Sequence, residues 1–308
     1  MPDPTEFAIT AAFMASLGVF AIAVILRKLR GRQNAEIRVP EIPVDGEICF
    51  PPPLPFPLSG SLPPELPFGR VKTWIYQPFD LLGLGLIFGL FALLVIPSLQ
   101  APDEAMRMPG KEALLVSIAF QFILAGIACA WVIRRIGLVE WLGLRWPEWR
   151  WVFLIAPGAV LSMWFFFGML QMSGFMDWIE SMGVESMQDT VKLLQESQDP
   201  VVLGLMAVAA TLAAPICEEI VFRGYFYAAA KKFSGPWVAT FCSSLVFAAA
   251  HGSLGALLPL FVFGCLLVFL YEKTGSLWAP VAVHFLFNSA TVLFQFAARY
   301  YQIPLDPP

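Results

Sequence analysis

Seven side chains in the last third of the chain could together activate a water molecule and stabilise an oxyanion, and they fall in three groups: Glu218, Glu219 and Arg223; Phe247 and His251; His284 and Asn288. Each group lies inside a long apolar stretch. A charged residue at the centre of a spanning helix costs about 2.5 to 3.5 kcal/mol on insertion scales, so ionisable groups in such a place mark function by default. The bland alternative is an ion pair that holds two helices together. Against it, both histidines of the chain fall in this region. A carboxylate, two imidazoles and an amide are the parts needed to activate water and stabilise an oxyanion.

Helical spacing divides the labour among them. Glu219 and Arg223 are four apart and share a face, which suits an intrahelical ion pair. Glu218 projects about 100° away, which frees it for chemistry. Phe247 and His251 share a face by the same rule, as do His284 and Asn288, so a phenyl ring walls one side of a pocket and an amide lies beside His284. Taking Lys231, Pro236 and Gly275 as boundary markers and about 1.5 Å per residue, Glu218 and Glu219 lie roughly 18 to 20 Å deep, His251 roughly 22 Å and His284 roughly 13 Å. Three helices thus bring their polar groups to one layer, where water needs a cavity.

Glu218, His251 and His284 are also ordinary zinc ligands. However, His-Glu-x-x-His is absent, the histidines are on different helices, and Asn288 is a poor zinc ligand but a good oxyanion donor. The expectation is an enzyme without cofactor or metal, with those three residues as the ligand set if zinc is used.

These residues need a membrane scaffold, and the composition supplies one. Of 308 residues, 58% are apolar and only 14% charged, with a mean hydropathy of +0.72, whereas a soluble domain has about 25% charged residues. Apolar runs of about 20 residues can each cross a hydrocarbon core of roughly 30 Å as helices. The fold class expected is all-α, a polytopic transmembrane bundle of about eight spans near 7–26, 79–99, 113–133, 151–172, 201–230, 236–250, 256–271 and 277–298. The bilayer is therefore one partner. A net charge of -4, with only the short Arg27 to Arg32 basic cluster, excludes nucleic acid as another. Cys49 stands alone, and Cys129, Cys217, Cys242 and Cys265 lie in apolar stretches and read as packing.

Asp3 and Glu6 precede the first span and Arg27, Lys28, Arg30 and Arg32 follow it, the reverse of a signal peptide. It reads as a retained helix with its N-terminus outside. Alternating the spans from there puts 14 of the 19 Lys and Arg in cytoplasmic segments, as the positive-inside rule expects. Ten prolines in residues 40–67 preclude persistent helix or strand and predict a cytoplasmic spacer. The acidic outer loop 173–200 has Val184, Met187, Val191 and Leu194 at helical spacing, which predicts an amphipathic surface helix. Trp141, Trp146, Trp149 and Trp151 predict an interfacial stretch. The organisation expected is a membrane helix over 1–30, a proline-rich linker over 31–75, the first part of the bundle over 76–200, a catalytic core over 201–298 and a tail over 299–308.

Glu-Glu-x-x-x-Arg at Glu218, Glu219 and Arg223, Phe-x-x-x-His at Phe247 and His251, and His-x-x-x-Asn at His284 and Asn288 resemble the three motifs of the CPBP family. These are the CAAX-processing and bacteriocin-processing intramembrane endopeptidases related to the Ras-converting enzyme. One motif alone is weak, but three in the family's order on three apolar helices are specific. The resemblance covers residues 201–298 and implies proteolysis by a glutamate-activated water on a protein or peptide substrate, prenylated or membrane-embedded. By carry-over, Glu218 and His251 hold and deprotonate the water, and His284 and Asn288 donate to the oxyanion. Glu219 and Arg223 support them. The competing functions are a catalytically silent scaffold or immunity-type protein on the same fold, and a proton-coupled transporter, for which no inverted repeat is found.

Overall fold

A computed structural model of the chain describes residues 3–36, 69–99, 110–182, 194 and 197–301, all helical or connecting, with no strand among them. The N-terminal half contains α1 (Pro4–Glu36), α2 (Asp80–Leu99), α3 (Lys111–Ile133), the single turn α4 (Leu138–Trp141), α5 (Val152–Met172) and α6 (Phe175–Ser181). One long helix follows, α7 (Pro200–Ser234), then α8 (Pro236–Ala249), α9 (Leu254–Thr274) and α10 (Trp278–Tyr300). Among the described residues, seven helices are long and apolar enough to cross a membrane, and the protein is an integral multi-pass membrane protein.

The eighth expected span, at 236–250, is corrected. The helix there, α8, has 14 residues, a rise of about 21 Å, too short for a hydrocarbon core of roughly 30 Å. It ends before Gly252, whose φ of +66° closes the turn. The proline-rich stretch at 40–67 lies outside the described residues, as does Cys49. Of the four positions in the expected surface helix only Leu194 is described, buried against Val202, Met206 and Val292. The four tryptophans divide: Trp149 and Trp151 are exposed, as an interfacial reading requires, but Trp141 and Trp146 are buried.

The helix ends have local causes. Asp199 caps α7 by accepting from Val201 N at 2.8 Å, with Pro200 in the first turn, where its missing N–H costs nothing. Gly235, with φ +92°, turns the chain so that Pro236 can open α8. Ser253 caps α9, and Gly275, with φ +67°, ends it in the left-handed conformation.

Packing is inverted relative to a soluble protein. Leu93, Val116, Phe153 and Phe165 point outward from α2, α3 and α5, while Asp80, Glu219, Arg223, Glu272 and His284 are buried. The antiparallel pair α8 and α9 forms the centre, with α1 against α8, α3 against α7 and α10 against α5 and α9. On α1, Ile9 and Phe13 are fully buried. Ser16 Oγ donates to Cys242 O at 3.2 Å, and Cys242 Sγ donates to Ser16 O at 3.3 Å.

Two buried carboxylates fix one end of the bundle. Asp80 accepts from Trp131 Nε1, Tyr225 Oη, Arg135 and Gln77 N, so every lone-pair direction has a donor. Glu272 accepts from Tyr227 Oη and Lys231 Nζ on α7 and from Val71 N. Burial pushes the Tyr76 phenol well above its ordinary pKa, so it stays a donor, to Gly224 O at 2.8 Å, while accepting from Trp141 Nε1 at 2.9 Å. Residues 71–76 are thereby held to α4, α7 and α9.

Candidate active site

The site is built around a departure from α-helical geometry in α7. Pro215 has no N–H to give and crowds the turn before it. The helix widens into a π segment at Ala209–Ala213, the usual accommodation of a misfit inside a helix. Inside a membrane the orphaned carbonyls of that turn need donors. Asn288 Nδ2, from α10, donates to Ala210 O at 2.8 Å. A second π segment begins at Glu219 and runs to Tyr227, so Glu218 and Glu219 lie at the junction between the two kinds of winding.

Glu219 is wholly buried and its Oε1 accepts twice, from Arg223 at 2.9 Å and from His284 Nδ1 at 2.9 Å. The expected i, i+4 pair is present. The bond to His284, across to α10, was not anticipated. Because a carboxylate can only accept, His284 Nδ1 carries a proton, and the ring's other nitrogen, Nε2, faces Glu218 Oε2 at 3.9 Å. That separation is too long for a hydrogen bond. Glu218 Oε2 and Glu219 Oε2 are buried oxygens without a hydrogen-bond donor among the described residues. The Glu218 side chain is 22% exposed, against 0% for Glu219, so Glu218 is the carboxylate that something else can reach.

Phe247, fully buried on α8, is the common wall. The Arg223 guanidinium lies over its face at 4.3 Å, and it meets the rings of His251 and His284 edge-on at 5.0 and 6.1 Å. His251 stands in the turn after α8 and is exposed. Its Nδ1 donates to Phe247 O at 2.8 Å, a carbonyl being only an acceptor. Both imidazoles therefore have Nδ1 occupied and Nε2 available. Gly264 lets α9 approach: a Cβ there would meet Ser244 Cβ at 2.9 Å, and Gly264 O accepts from Arg223 at 3.4 Å.

Of the seven predicted residues, six are joined by direct contacts: Glu218, Glu219, Arg223, Phe247, His251 and His284. Asn288 joins through the backbone of α7. No hydrogen bond links His251 to Glu218, or Asn288 to His284, among the described residues. Gln121, midway along α3, has a buried Oε1 that accepts no hydrogen bond among the described residues. Among the described residues, no three His, Cys, Asp or Glu side chains cluster as ligands of one ion.

Residues 200–290 match the family model Rce1-like, described as type II CAAX prenyl endopeptidase Rce1-like. The match starts with α7 and ends within α10, and it contains all seven residues. A Bacillus subtilis (strain 168) protein named "Putative membrane peptidase YdiL" is 32% identical over 91 residues, which cover 30% of this chain and 37% of that protein. The chain thus matches well under half the length of that relative. No solved structure matches. Both findings relate the segment from α7 to α10 to the CPBP membrane proteases, as the three motifs do.

Proposed function

We propose that this protein is an intramembrane endopeptidase that hydrolyses peptide bonds of membrane-associated or lipid-modified substrates, prenylated proteins among them. The observation that carries the reading is the asymmetry of the paired glutamates: Glu219 is occupied by Arg223 and His284, whereas Glu218 Oε2 lacks a donor among the described residues and lies 3.9 Å from His284 Nε2. Glu218 takes a proton from water, with His251 as the second group on that water. The water oxygen adds to the carbonyl carbon, and the carbonyl oxygen gains the negative charge. His284, whose Nδ1 proton is already given to Glu219, donates from Nε2 in its imidazolium form, protonated on both ring nitrogens, and the second N–H of Asn288 Nδ2 joins it in meeting that charge. On collapse the C–N bond breaks, and Glu218 returns its proton to the leaving amine. No metal is required in this scheme. The reading includes an N-terminus outside and a cytoplasmic proline-rich linker over 31–75, supported by the positive charge of Arg27, Lys28, Arg30 and Arg32 after the first apolar span.

Purified protein in detergent, incubated with prenylated and unprenylated peptide libraries, tests the reading. Cleavage is expected from the wild type and is lost at least about 100-fold in Glu218→Gln, which keeps shape but cannot accept the proton. A folded Glu218→Gln variant with more than about a tenth of wild-type turnover would sink the assignment. No cleavage of any peptide by folded wild type would favour the silent scaffold.

A further inference from the structure

A cavity of about 480 Å³ opens at the end of the bundle where α3 and α9 finish and α2 begins. Its walls carry three cations, Arg70, Lys72 and Arg145, against one carboxylate, Glu140. Glu140 is already taken by Lys72 at 2.8 Å, and no ion pair engages Arg70 or Arg145 among the described residues. The floor is backbone: Gly143 and Gly275 both have left-handed φ, +61° and +67°, and a Cβ on Gly143 would collide with the Gly275 carbonyl. The two glycines therefore let the α4 turn and the end of α9 meet without side chains filling the space. The volume lies within the roughly 300 to 1,000 Å³ of small-ligand sites.

Depth identifies the ligand. Trp74, Trp149 and Trp151, at the same end of the bundle, are each more than half exposed, and exposed indoles gather at the headgroup level of a bilayer. The bundle end also carries Arg134, Arg135 and Arg150, against Lys111 and Arg299 at the opposite helix ends. Two guanidiniums without carboxylate partners suit the planar, forked recognition of a phosphate, and basic pockets between spans at this level take anionic lipid headgroups.

We propose that this cavity binds the phosphate of an anionic phospholipid, with Arg70 and Arg145 as its ligands. The site is separate from Glu218 and His284 and does not rest on the proteolytic reading.

Binding of fluorescently labelled phosphatidylglycerol to the full-length protein in a neutral detergent, followed by anisotropy, tests it. The expected results are saturable binding, competition by unlabelled phosphatidylglycerol but not phosphatidylcholine, and at least tenfold weaker binding by Arg70→Gln/Arg145→Gln. Both side chains are exposed, so the variant should unfold at the wild-type temperature, which a thermal scan checks. Equal competition by phosphatidylcholine, or unchanged affinity in the variant, overturns the proposal. Full displacement by millimolar inorganic phosphate overturns the lipid as the source, since it would make the site one for free phosphate.

Discussion

Glu219 illustrates what one residue's neighbours decide. It accepts from Arg223 and His284 through a single oxygen while fully buried, so removing either charge leaves the other buried and uncompensated. Glu219→Gln and Arg223→Ala should each cost about 3 to 5 kcal/mol, read as a lowered unfolding temperature and folded yield in detergent. A variant that is fully stable yet inactive would place Glu219 in the chemistry. The Glu219 to Arg223 contact was legible because both residues are on one helix, where a spacing of four fixes the geometry. His284 was not legible as a partner, because spacing within α10 gives the direction of its ring but not the distance to α7. Glu218 was separated from the pair by helical phase alone, and no hydrogen bond joins it to Arg223 among the described residues.

At the scale of the element, α7 is the informative helix. Its apolar run marked it as a span over 201–230, a little short of the helix Pro200–Ser234, but its two π segments could not be read, since extra winding depends on what the neighbours supply. Pro215 was the only visible hint. Replacing it by alanine restores a donor to the preceding turn, where Asn288 now donates to Ala210 O. Pro215→Ala is expected to keep or raise the unfolding temperature while lowering turnover, as Asn288 loses its tether; unchanged turnover would show that the tether is not needed. Gly83 on α2 is equally constrained, since a Cβ there would strike the Tyr225 hydroxyl, which donates to Asp80. Gly83→Ala should cost about 1 to 3 kcal/mol by overpacking, and Tyr225→Phe should recover part of that loss in a thermal-unfolding comparison of the single and double variants. The error over α8 has a similar origin: a mostly apolar run at 236–250 looks like a short span until Gly252 is seen to turn the chain inside the bundle.

For the whole molecule, composition was a sound guide to class, because a chain with 14% charged residues has little choice of solvent. It was a poor guide to where residues 69–76 go, since nothing in Val71, Ile75 or Tyr76 announces that Glu272 and Gly224 wait for them. Metal content is a property of the whole preparation: active protein is expected to hold less than one zinc per chain and to keep its turnover in chelator, measured by elemental analysis and peptide cleavage, and loss of activity that zinc restores would refute it. The reciprocal bonds between Ser16 and Cys242, with Ile9 and Phe13 fully buried, mean that α1 is held by the bundle in space as well as by the chain in sequence. The protein should therefore behave as two complementary fragments: residues 1–50 and 51–308, produced from separate messages in one cell, should assemble, co-purify through a tag on either, and show the cleavage activity of the uncut chain.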